Sequence, residues 1–239
     1  KDNFYVLEIG GGFGSFARII LNNKNVKYFL IDLPEANLMS NYYLQSHFPE
    51  KKIFNFSHLK TNKLNESINS YDIFILPPRL LERENIKFDF IVNSRSFMEM
   101  NKKIIKEYFD LIQTKIKKNG YFLNINRYFK STSGEKIKFE EYPYDKLWNV
   151  EISKKSFLQT GIHFLLAKRH NIEGNISNEL LMIRKLAKDL KIQREKRLNF
   201  FKTHIKSIIY QIIKTTLIFL FSKKILRKIS KVIFNMSQN

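Results

Sequence analysis

Phe4-Tyr5-Val6-Leu7-Glu8-Ile9-Gly10-Gly11-Gly12-Phe13-Gly14 is the stretch on which the reading of this chain turns. Its apolar half predicts a buried strand, and four glycines in five positions predict a tight bend into a helix over 15–21. A second strand is predicted over Val26–Ile31, ending at Asp32. Pro34 then opens a helix that runs to about His47, in the first-turn position where proline is favoured. Ile53-Phe54-Asn55-Phe56, the apolar run 71–76 halted by Pro77-Pro78, 88–92 and 121–125 read as further strands. A 3.6-residue period over 101–118, stopped by Asn119-Gly120, reads as a helix, and 164–167 as a last, antiparallel strand. Strands alternating with helices predict an α/β fold with a Rossmann-like parallel sheet over residues 1–170.

The 239 residues are 44% hydrophobic and 14% aromatic, enough for a real core, which excludes a disordered or low-complexity chain. The lack of cysteine excludes disulfides, thiolate metal sites and a cysteine nucleophile. Charge is uneven. Of the net +20, residues 182–239 hold +13, from fifteen basic side chains against Asp189 and Glu195. With no glycine after Gly174 and no proline after Pro143, 177–239 is expected to be almost wholly helical, so 171–239 forms a basic amphipathic extension. Its longest uncharged run, 215–222, is far below the ~20 residues of a membrane span. Two partners suit the apolar stripe: an anionic membrane surface met by 200–234, or the body of this or a second subunit met by a helix pair. Compositional drift toward Lys, Asn, Ile and Phe accounts equally well for much of the charge. Residues 1–20 hold a glycine turn rather than a secretory leader. A cytoplasmic location is therefore expected, with the tail at the inner membrane face. Because a strand starts almost at once after Lys1, an N-terminally trimmed chain is also expected.

Glu8-x-Gly10-x-Gly12-x-Gly14 sets an acid just before a bend where backbone can touch a ligand without side-chain interference. Asp32, 22 residues past Gly10, suits a carboxylate accepting both hydroxyl protons of a ribose. Together they point to a nucleoside-bearing cofactor at the carboxyl edge of an open sheet. A dinucleotide fingerprint would need glycine at position 15, which is Ser15. A glycine turn used only for packing is the plain alternative.

Residues 6–14, with Phe29-Leu30-Ile31-Asp32-Leu33-Pro34-Glu35, resemble the sugar O-methyltransferase family of class I S-adenosylmethionine-dependent enzymes. The blocks Phe90-Ile91-Val92-Asn93-Ser94-Arg95-Ser96-Phe97-Met98-Glu99-Met100 and Asn124-Ile125-Asn126-Arg127-Tyr128 are similar to later parts of that family. The resemblance covers about 4–130 and implies methylation of a hydroxyl in a surface polysaccharide or related glycan. It implies that Gly10, Gly12 and Gly14 approach the methionyl part of the cofactor and that Glu8 fixes the loop and the amino group. Asp32 would hold the ribose, Leu33 would lie near the adenine with Phe56 and Ser57 as further candidates, and Asn93 and Ser94 would border the sulfonium and acceptor.

A hydroxyl acceptor needs a base, and Glu99, His58 and His163 are the candidates. Glu99 reads equally as a helix cap or ion-pair partner, His58 as an ordinary loop histidine, and His163 as a residue at the edge of the core. Arg127 suits a sugar hydroxyl or carboxylate, and suits plain solvation as well. Leu76-Pro77-Pro78-Arg79 lacks the polar start and aromatic end of the base-methylating signature and reads as a strand stop. No metal-ligand spacing is present, so S-adenosylmethionine is the one cofactor expected. Two rivals remain: an RNA methyltransferase, suggested by charge alone although nucleic acid is not the expected partner, and a non-catalytic docking protein that keeps the cofactor fold.

Overall fold

β1 (Phe4–Ile9) forms on the first apolar run and becomes the central strand of the sheet. The computed structural model describes residues 3–22, 25–132, 134–157 and 159–236, and their side chains apart from those at 132, 203, 207, 210, 214 and 216–236. After β1 come α1 (Ser15–Ile20), β2 (Val26–Ile31), α2 (Pro34–His47), β3 (Ile53–Phe54), α3 (Leu64–Ser67), β4 (Ile73–Leu76) and β5 (Phe88–Ser94). The rest is α4 (Lys102–Lys115), β6 (Ile116–Arg127), β7 (Phe129–Thr132), β8 (Glu135–Lys138), β9 (Trp148–Lys155), β10 (Ile162–Arg169) and α5 (Ile176–Met236).

The eight-stranded sheet has the order β3-β4-β2-β1-β5-β6-β10-β9. Pairs from β3 to β6 are parallel, and β10 with β9 adds an antiparallel margin. This is the expected Rossmann-like parallel sheet, followed by a helical C-terminal segment. Alternation along the strands sorts side chains between two layers. Val6, Tyr28, Leu30, Ile73 and Ile75 pack with Ala17 and Leu21 of the α1 region and Leu44 of α2. On the other face Phe109 of α4 meets Phe122 edge-on, and Phe29 stacks on Phe74 at 4.3 Å.

Several elements depart from expectation. β3 keeps only two residues, and the 71–76 run supplies β4, which slots between β3 and β2. The helix expected over 101–118 stops at Lys115, and β6 starts at Ile116. Asn119, at φ 63°, instead lies in a kink where the β5–β6 register slips. The last strand runs over Ile162–Arg169 and has β9 beside it, and β7 and β8 form a separate hairpin; none of these last three was expected. The tail is one helix rather than a pair, and residues 237–239 of the expected helix lie outside the described residues. The chain divides into two compact units, 1–187 and 188–239. Ile176 and Ile183, in the first turns of α5, are buried in the first unit.

A buried chain of hydrogen bonds ties the antiparallel margin to the start of α5. Ser153 Oγ donates to Glu179, so its other partner, His163 Nε2, must donate to it, at 2.9 Å. That leaves Nδ1 to accept from Tyr128 Oη at 2.8 Å. One neutral tautomer satisfies all four side chains. Burial holds the imidazole down at about 4, far below its usual value.

Candidate cofactor and acceptor site

β2 and β4 are added on one side of β1 and β5 and β6 on the other, all parallel to it, so the order of strand addition reverses between β1 and β5 and opens a crevice at their carboxyl ends. The glycine bend lies there. Gly10 sits at φ 72°, and a methyl at its Cα would lie 2.1 Å from Ser96 Oγ. Gly12, at φ 57°, is different: a methyl there would meet no atom within 4 Å. The first glycine is demanded by the fold, and the third leaves a cradle that a ligand can enter.

Asp32 faces this bend. Its Oδ2 accepts the Gly12 N–H at 2.8 Å and its Oδ1 accepts the Leu33 N–H at 2.7 Å, which fixes the carboxylate and leaves lone pairs on both oxygens. Below the loop, Glu8 is 2% exposed and accepts from Tyr28 Oη at 2.7 Å. Burial pushes its carboxyl up to about 7; the Tyr28 bond works against that rise, and the Asp32 charge adds to it.

The end of β5 is built to hold β1. Asn93 Nδ2 donates to the Ile9 carbonyl at 2.9 Å, and Ser96 Oγ donates to the same carbonyl at 3.1 Å. Asn93 Oδ1 accepts from the Phe97 N–H at 3.2 Å and from Asn126 Nδ2 at 2.8 Å. Asn126 Nδ2 also reaches Asn124 Oδ1 at 2.6 Å, and Asn124 Nδ2 donates to Tyr144 Oη at 3.0 Å. All three asparagines are fully buried, so this ladder secures the edge, and Asn93, expected beside the sulfonium, turns its amide inward. Ser94 is half-buried at the strand end, and Arg95 follows at φ 65°, exposed and strained, its N–H bonded to the Ile125 carbonyl at 2.7 Å.

Other candidates fall in three places. Leu33, exposed, starts α2 directly beside Asp32. Phe56, Ser57 and His58 lie past β3, the outermost strand, two strands from β2's far side of the crevice. There His58 Nδ1 pairs with Asn55 and its ring stacks on Phe54 at 5.4 Å, while Ser57 Oγ donates to Asn55 Oδ1 at 2.7 Å. Glu99 ends a 3-10 turn over Phe97–Glu99, half-exposed and paired with Lys130 of β7. It does not cap α4; Asn101 does, accepting from the Ile104 N–H at 2.9 Å. Arg127 closes β6, half-buried, while His163 is buried in the chain described above.

Sequence reasoning missed two neighbours of Asp32. β4, not β3, borders β2, which brings Leu76 and Pro77 to the crevice: the Leu76 carbonyl accepts the Asp32 N–H at 3.4 Å and Asn37 Nδ2 at 2.9 Å. Tyr108 of α4 is close enough that Asp32, after burial, helps push its phenol up to about 12. No sequence signal marked Tyr108; the Pro77-Pro78 stop marked the other. No group of three His, Cys, Asp or Glu residues able to hold a metal exists among the described residues.

Among solved structures the chain is similar to the mitomycin 7-O-methyltransferase MmcR, with 14% identity over 70% of this chain and 49% of that one, at a TM-score of 0.49. It is similar to the pyocyanin biosynthetic protein PhzM, with 12% identity over 70% and 51%, TM-score 0.48. It is also similar to M. capricolum TrmK, solved with S-adenosyl-homocysteine, with 10% identity over 72% and 66%, TM-score 0.45. The chain spans about half the length of the first two structures. No family model matches it, and no curated protein matches it in sequence.

Proposed function

We propose that this chain binds S-adenosylmethionine and transfers its methyl group to a hydroxyl of a sugar. The observation that carries the reading is the Asp32 carboxylate, pinned by the Gly12 and Leu33 amides with lone pairs to spare, at the mouth of a bend that leaves open space at Gly12. A ribose diol fits that carboxylate, an aminoacyl chain fits the bend over Glu8, and Leu33 and Tyr108 offer apolar surface for a base. Bound there, the cofactor would supply a methyl group already activated on a sulfonium. What remains for the chain is alignment and removal of one proton.

Ser94, Arg95, Glu99, Arg127 and Lys130 give the acceptor side its polar character. In this reading the Glu99 carboxylate would take the proton of the acceptor hydroxyl as that oxygen receives the methyl group the bound donor would supply, the donor leaving as the neutral thioether. The sugar as acceptor rests on the sequence blocks at 90–100 and 124–128.

Calorimetry with S-adenosylmethionine, S-adenosylhomocysteine and NAD tests the donor. Binding of the first two is expected, and Asp32→Ala should weaken it at least about tenfold, the loss of two charge-assisted hydrogen bonds. Heat with NAD alone overturns the assignment. Glu99→Gln should bind as the parent does and lose on the order of 10²-fold or more in turnover on sugar acceptors. Unchanged turnover removes Glu99 as the base, and methyl incorporation into RNA with sugars inert removes the sugar.

A further inference from the structure

Beyond Glu195 the chain contains no acidic residue, yet it carries ten Lys and Arg side chains before its end. The same segment of α5 displays Leu198, Phe201, Ile205, Ile208, Ile209 and Ile213, each between 48% and 58% exposed. At 100° per residue these six fall within an arc of about 140°, one broad apolar face. Arg197 lies just outside one margin of that arc, Lys206 just outside the other, and Lys202 between Ile209 and Ile213. His204 and Gln211 lie about 40° and 60° beyond the Ile208 margin, and Phe200, also exposed, lies past them against the His204 ring.

We propose that this face docks on the surface of a lipid bilayer carrying anionic headgroups. An apolar arc with cations at both margins is what an interfacial helix requires: side chains enter the acyl boundary while Lys and Arg stems reach back to the headgroups. No helix among the described residues is long and apolar enough to cross a membrane. A second copy of this segment of the helix would bring the same cations and no carboxylate to meet them. Nucleic acid would satisfy the charge but leave the apolar arc in water. Only an anionic lipid surface takes both.

The test is flotation of the full chain with vesicles of phosphatidylcholine alone or mixed with phosphatidylglycerol. Binding to the mixed vesicles, weakened by salt, is expected. Lys202→Gln and Lys206→Gln should each reduce partition about fivefold. Ile205→Asp with Ile209→Asp should abolish it while leaving the thermal transition and S-adenosylmethionine binding of the chain unchanged, which separates this proposal from the methyl-transfer reading. Equal binding to neutral vesicles, or an Asp pair that floats like the parent, overturns it. So does a dimer in light scattering that the Asp pair dissolves, or tighter binding to RNA than to the mixed vesicles.

Discussion

Gly10 and Gly12 stand two residues apart in one bend, yet an added methyl group would fail for different reasons at each. At Gly10 it would strike Ser96, 2.1 Å away, in the hydroxyl that also holds the Ile9 carbonyl. Gly10→Ala is therefore expected to cost the fold on the order of 2–3 kcal/mol, from left-handed strain and overpacking together, with the midpoint of urea unfolding as the measure. At Gly12 nothing stands in the way, so Gly12→Ala should cost only the strain, about 1–2 kcal/mol, while calorimetry records most of the donor affinity gone. If Gly12→Ala binds as the parent does, the cradle is not where the ligand goes. The bend and the Asp32 carboxylate facing it were legible in the sequence because glycines after one apolar run and an acid after the next set a tight turn and a carboxylate at the ends of neighbouring strands. Asn93 was not. A polar residue at a strand end looks ligand-facing until the partners of its amide are known, and those partners, the Ile9 carbonyl and Asn126, come from the two flanking strands.

At the scale of elements, what could be read was whatever local pattern governs. β1, β2, β5 and α2 lie where apolar runs and Pro34 place them. The termini of α4 show the limit. Asn119-Gly120 looked like the stop, but the chain leaves the helix four residues earlier so that Ile116 can pair with Phe88 of β5. At the other end Asn101 caps the helix, and Asn101→Ala should lower stability by about 1 kcal/mol in chemical unfolding; no change would mean that the cap bond is not formed in solution. β7, β8 and β9 escaped notice because Phe129-Lys130-Ser131-Thr132, Glu135-Lys136-Ile137-Lys138 and 148–155 are polar and margin-bound, with too few inward apolar residues to set up a period. The neighbours of β2 were equally hidden, since strand order is a property of pairing and not of any one segment.

Across the molecule, two buried groups set opposing responses to acid. Glu8 titrates near 7 in the fold against an ordinary 4.5, so the native state takes up a proton and its stabilising effect is complete below 4.5 and lost as pH rises to 7. His163 titrates near 4 against 6.5, so its neutral form contributes fully above 6.5 and that contribution is lost as pH falls to 4. Between about 4.5 and 6.5 the two slopes cancel. The parent's melting temperature should be nearly flat over that window, Glu8→Gln should make it fall with acid, and His163→Gln should make it rise. A Glu8→Gln profile parallel to the parent's would show that Glu8 is not protonated in the fold. The reversal of strand direction after β6 has a different consequence. Because β10 runs against β6 and β9 against β10, the end of β6, the end of β9 and the start of β10 are delivered to the same rim as the glycine bend, while every donor-side candidate comes from the first 108 residues. In the proposed reading the recipient's side thus draws on the later residues Arg127 and Lys130 as well as on Ser94, Arg95 and Glu99, so drift in the later stretch of the gene can retarget the chemistry without rewriting the grip on the donor.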